Sequence, residues 1–229
     1  SLNLKVARIT LSGLGVKFDL HIAASGEDLD DLFDLDCSGT LPTGLGVAFT
    51  SESVSGGGFL ERNVASGGRE TWRGGLALRF ADGLDVAAFG IVQFGGQRKW
   101  TVIVFVIVRF NPPYPLPWGL KLKAVGGLVA LNRTVDFNAL REAAMGSQGG
   151  LEAVLLPDRP EERLLELLPA IDRFFPPRDG SQVVGVLAEI TWLADTGSTF
   201  GYFRGVLLGE LENFQFALYG IARLGFPSI

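Results

Sequence analysis

One stretch constrains this chain more than any other: Lys99-Trp100-Thr101-Val102-Ile103-Val104-Phe105-Val106-Ile107-Val108-Arg109-Phe110. β-Branched and aromatic residues fill both sets of alternating positions, so a strand here presents apolar side chains on both faces. A strand with one wet face would show polar residues at every second position. The stretch is therefore expected to be the central strand of a sheet covered on both sides. Val102, Val104, Val106 and Val108 would face one layer, and Ile103, Phe105 and Ile107 the other. The proline-rich run Asn111–Pro117 is expected to end it, because proline has no N–H for a ladder. A second strand, Leu120 to Leu131, then returns through Gly126-Gly127.

Either side of this pair the chain reads as more strands. Leu14 to Ile22 alternates cleanly, and Leu45 to Phe49 and Gly58 to Leu60 suggest short strands joined by a turn over Ser51 to Gly57. Trp72, Leu76, Leu78 and Phe80 alternate against Arg73 and Arg79. Ala81-Asp82-Gly83 is a tight-turn signal leading into Leu84 to Phe94. Three strands in succession make an antiparallel meander.

The period changes after Thr134. Asp136 is a plausible N-cap for a helix over Phe137 to Met145 that Gly146 stops. A second helix, from Glu161 to Phe175, would carry Leu164, Leu168 and Ile171 on one stripe, with a bend at Pro169. Strands return from Gln182 to Trp192, Thr199 to Leu211 and Phe214 to Leu224. The expected fold class is α+β, mainly antiparallel β: a strongly bent or coiled multi-stranded sheet with an inserted helical segment, about residues 137–175, packed on it. The bend is inferred from 31 glycines that recur inside strand patterns as well as in loops. With no linker-like stretch, residues 1–229 are expected to form one domain. The chain starts inside a strand pattern without an initiator methionine, so it is expected to be a module of a larger protein.

The composition excludes several classes of function. A net charge of −5 with no basic run argues against nucleic acid. One cysteine, Cys37, allows no intrachain disulfide and leaves the compartment open. The longest apolar run, Thr101 to Val108, is far below the roughly 20 residues of a membrane helix, so no transmembrane segment is expected. Hydrophobic residues make up 47% of the chain, enough for a sizeable core or an internal apolar groove.

Candidate chemistry is sparse. His21 is the only histidine and falls on a polar strand face beside Lys17 and Asp19, where a solvated role is expected. The acidic run from Glu27 to Asp36 places Asp30, Asp34 and Asp36 as candidates for a hard cation such as calcium, although the glycine turn and terminal glutamate of a helix–loop–helix calcium site are missing. No phosphate-binding loop or nucleophile elbow is present. Glu189 interrupts an apolar strand; it and Glu210 and Glu212 are the carboxylates a hydrolase would use, whereas the plain reading pairs Glu189 with solvent or with Arg204. Trp72, Trp118 and Trp192 are candidates for lining an apolar groove, although packing in a core would account for most aromatic residues. No catalytic residue, cofactor or resident metal is expected.

The segment Gly119 to Arg133, with Ala139-Leu140-Arg141-Glu142, Leu155-Leu156-Pro157-Asp158, Phe174-Phe175-Pro176-Pro177 and Ile190-Thr191-Trp192, resembles the domain of unknown function 6603 family, found in large bacterial and fungal proteins. The likeness runs from about residue 56 to residue 224 and rests on turns and caps. It implies a module within a long polypeptide and carries no catalytic residues with it. The expected function is a non-enzymatic β-rich scaffold or interaction module whose partners are other domains of the same polypeptide or other proteins. The alternatives are a carrier of lipid-like apolar ligands in a sheet-lined groove and, last, a carboxylate-based hydrolase. An open apolar trough would favour the carrier, and a filled core the scaffold.

Overall fold

The computed structural model describes residues 2–3, 7–13, 15–22, 33–40, 43–65, 68–95, 100–145, 170–193 and 199–224. The strands are β1 (Leu2–Asn3), β2 (Ala7–Ser12), β3 (Gly15–Ile22), β4 (Phe33–Thr40), β5 (Gly44–Thr50), β6 (Val54–Val64), β7 (Glu70–Phe80), β8 (Leu84–Phe94), β9 (Trp100–Pro115), β10 (Leu120–Arg133), β11 (Pro177–Leu193), β12 (Thr199–Glu210) and β13 (Gln215–Leu224). Helix α1 spans Phe137–Met145, and residues 170–174 are also helical.

Eleven strands form a single sheet in the order β1-β2-β5-β6-β7-β8-β9-β10-β11-β12-β13, while β3 and β4 pair only with each other. The fold is thus mostly antiparallel sheet with few helices. Every neighbour in the large sheet is antiparallel. From β5 onward, sequence neighbours are spatial neighbours, so those nine strands form one meander. The sheet is open: its order has two ends, β1 and β13.

The turn chemistry explains the connections. At the β7–β8 hairpin Gly83 takes φ +89 and its N–H reaches the Phe80 carbonyl at 3.1 Å; few side chains tolerate that backbone. The β6 strand begins at Val54 and absorbs Gly56 and Gly57, which the sequence had placed in a turn. Gly56 makes this possible: a Cβ there would lie 2.1 Å from the Ala77 carbonyl oxygen, so only glycine lets β6 and β7 approach. The proline run likewise does not end β9. Tyr114 and Pro115 resume pairing with Leu122 and Lys121 after a register shift, and Pro112 and Pro113 sit inside that irregularity, where the ladder to β10 asks for no N–H.

One face of the sheet carries the core. Ile103 and Phe105 are 0% exposed, and Phe89 stacks on Phe105 with ring centroids 4.6 Å apart. Leu140 of α1, Ile171 and Phe174 of the helical turn, and Phe175 belong to the same buried cluster as Phe105, Leu128 and Leu187. Asp136 caps α1 as its sequence position implied: its Oδ1 accepts from the Asn138 and Ala139 N–H groups at 3.0 and 2.9 Å. Arg133, wholly buried, donates to Asp172, to the Phe175 carbonyl at 2.7 Å and to Gln93, tying the helical turn to β8 and β10. Leu164, Leu168 and Pro169 lie outside the described residues.

The expectation that β9 is covered on both sides is overturned. Val104 and Val106 are each 40% exposed while their neighbours Ile103, Phe105 and Ile107 are buried. Strand alternation puts the two sets on opposite faces, and the helical residues of the core lie on only one of them.

Candidate functional site

The second face of the sheet is the feature that asks for a function. Register carries each residue to a neighbour on the same face of the next strand. The row through Val104 therefore runs Leu45, Leu60, Gly74, Gly90, Val104, Val129, Val184, Gly209 and Phe216. The row through Val106 goes from Val47 to Leu218 and the row through Val108 from Phe49 to Gly220. Both hold only Val, Leu, Phe, Ala and Gly. Three adjacent rows over nine strands contain no polar side chain.

At about 4.8 Å per strand and about 6.8 Å between rows, this band is roughly 40 Å wide and on the order of 800 Å² in area. Ordinary monomers expose apolar patches of about 300–600 Å² at most. Among the large exposed hydrophobic residues, only Trp118, Leu211 and Phe214, which lie outside the strands, are off this face. Val186, Phe216 and Leu218 are 65%, 62% and 70% exposed.

The rims of the face differ from its middle. At one end of the strands, Arg62 of β6 and Glu70 and Trp72 of β7 form a compact polar group. Arg62 Nε donates to Glu70 Oε1 at 2.6 Å, Trp72 Nε1 donates to the same oxygen at 2.6 Å, and the guanidinium carbon lies 5.9 Å from the Trp72 ring centroid. The Arg62 hydrogen bond holds the Glu70 carboxyl below the usual carboxylate range, against the opposing pull of desolvation. Trp100, paired with Phe94, extends this rim. At the other end Trp192 sits beside Gly119, next to Trp118, which is 89% exposed at φ +60. Trp72 and Trp192 therefore both belong to the open face, at opposite ends, whereas Trp118 projects from the turn.

The opposite face is structural where it is charged. Glu189 lies directly across from Arg204 in the β11–β12 register. Its oxygens meet Arg204 at 3.1 Å and Lys123 at 2.8 Å, so both are taken by cations. Glu210, 2% exposed, accepts from Thr134 Oγ1 at 2.7 Å, and Arg178 lies near both Glu210 and Glu212. In both arrangements the carboxylates hold cations, and at Glu210 a hydroxyl as well. Asp34 and Asp36 lie in strand β4, opposite His21 and Asp19 of β3; Asp30 is outside the described residues. No group of three metal-ligating side chains occurs among the described residues. No helix among them is long and apolar enough to cross a membrane.

The sequence reading missed the Arg62–Glu70–Trp72 group and the openness of the valine rows. The signal for the rows was available: on successive strands glycine and aliphatic residues share one parity, as in Gly74, Leu76 and Leu78 against Val86, Ala88 and Gly90.

Comparison with known protein families matches residues 1–228 to a family of unknown function, DUF6603, so the likeness includes the first 55 residues as well as the strands that follow. No curated protein and no solved structure matches the chain.

Proposed function

Because the chain belongs to the family of unknown function DUF6603, whose description transfers no activity, we propose its function from geometry: a non-enzymatic module of a larger protein that holds the acyl chains of lipid-like ligands on its open sheet face. The observation that carries this reading is the set of three rows without a polar side chain across nine strands. A protein partner would bring backbone and side-chain polar groups to a surface that offers them no hydrogen bond, at a desolvation cost for each. An acyl chain brings none. The paired glycines Gly74 and Gly90 lower the surface between the flanking leucine and valine side chains, as a flexible chain requires, whereas the Phe203 ring lies over Gly205 and Gly220. The polar Arg62–Glu70–Trp72 rim suits the headgroup end of an amphiphile. In this reading the sheet is bent with the open face inward, and the inserted segment 137–175 packs as a whole on the other face.

The test uses Trp100 and Trp192, which lie on the open face at 42% and 45% exposure. In a Trp118→Phe background, which leaves the rim intact, tryptophan fluorescence should fall on mixing with phosphatidylcholine vesicles brominated along the acyl chains, compared with unbrominated vesicles. Equal emission with both vesicles would remove the proposal.

A further inference from the structure

We infer that the outer edge of β13 pairs with β13 of a second copy of this chain, antiparallel about a two-fold axis. This inference does not rest on the ligand reading. The sheet order ends at β13, whose outer backbone groups have no strand beside them among the described residues. Edge strands in natural proteins are protected by shortness, proline, lysine or a bulge. The far edge of this sheet meets the first condition, since β1 is two residues long. Among the described residues β13 has little of this: it runs ten residues as Gln-Phe-Ala-Leu-Tyr-Gly-Ile-Ala-Arg-Leu with one charge, Arg223, and its register with β12 is unbroken from Gln215 to Leu224.

The two unlike ends favour a closed pair over a chain of copies. Head-to-tail addition would need β13 to pair with β1, which offers two described residues, whereas β13 against itself about Tyr219 offers nine, Gln215 to Arg223, and closes after two copies. Charge sets the direction. Arg223 is the only charged residue in β13. Antiparallel pairing centred near Tyr219 places it opposite Gln215 of the other copy, while parallel in-register pairing would set arginine beside arginine. Shape agrees: Phe216 then meets Ala222 and Leu218 meets Gly220, large against small. A two-fold relation of this kind pairs even-numbered positions with even-numbered ones, so the apolar face continues unbroken from one copy into the next.

The experiment is light-scattering mass measurement of the full chain in dodecyl maltoside, whose micelles shield the apolar face and leave the edge as the contact. The parent should run at twice the 24.5 kDa chain mass. Phe216→Lys/Ala222→Lys and Phe216→Glu/Ala222→Glu, each alone, should run as monomers with unchanged far-ultraviolet circular dichroism, and mixing the two should restore the double mass. As a readout free of substitutions, β13 amides of the parent should exchange with solvent several-fold more slowly at high than at low protein concentration. A monomeric parent, a dimer that survives the lysine pair, a ladder of larger species, or concentration-independent exchange in β13 would each overturn the inference.

Discussion

At the residue scale the molecule turns on two neighbours, Val104 and Phe105. They are adjacent in the strand, similarly apolar, and opposite in environment: 40% exposed and 0% exposed. Phe105 stacks on Phe89 and meets the edge of Phe175 at 6.2 Å, so a carboxylate there must be desolvated inside a packed aromatic cluster. Phe105→Asp should cost more than about 4 kcal/mol and abolish the cooperative unfolding transition. Val104→Asp should fold, with a midpoint close to the parent's, because its carboxylate stays in water. Chemical denaturation of both variants checks the contrast; two unfolded variants would restore a closed, two-sided core. The same pair shows the limit of the sequence. Both residues read as buried because hydropathy records what a side chain avoids, and it does not say whether the chain itself supplies the cover.

At the scale of elements the sequence was more legible. The tight turn at Gly83, the meander of β7, β8 and β9, and the Asp136 cap of α1 were all carried by local chemistry, and local chemistry decides turns and caps. Asp136→Ala should therefore destabilise the protein by about 0.5–2 kcal/mol through the lost N-cap, with most of the loss recovered by Asp136→Asn; matched thermal melts would show it. The failures were of reach. Proline at 112 and 113 ought to end a strand, yet β9 resumes beyond them because a register shift against β10 places them where no ladder donor is needed. Gly56 and Gly57 look like turn residues until β7 is in place, when the close approach of its carbonyls becomes the reason for them. Glu189, the odd carboxylate in an apolar strand, takes the Arg204 partner that its sequence reading offered, and the strand register supplies the reason.

At the scale of the whole molecule, an eleven-stranded open sheet has one face built into a core and the other left apolar and bare among the described residues. The first face needed the helical residues that cover it. The second has no described cover, and its lack of polar side chains over three rows is the basis for assigning it acyl chains. Long-range register made this face visible, since no single strand shows that its apolar positions line up with those of eight others. Native mass spectrometry of the purified full-length chain tests this assignment most directly, with Val106→Asp as its partner because Val106 sits in the middle row. The account predicts that the parent retains adducts of lipid mass and that Val106→Asp, folded by circular dichroism, retains markedly fewer. A parent free of lipid-mass adducts, or a variant that keeps as many as the parent, would contradict it.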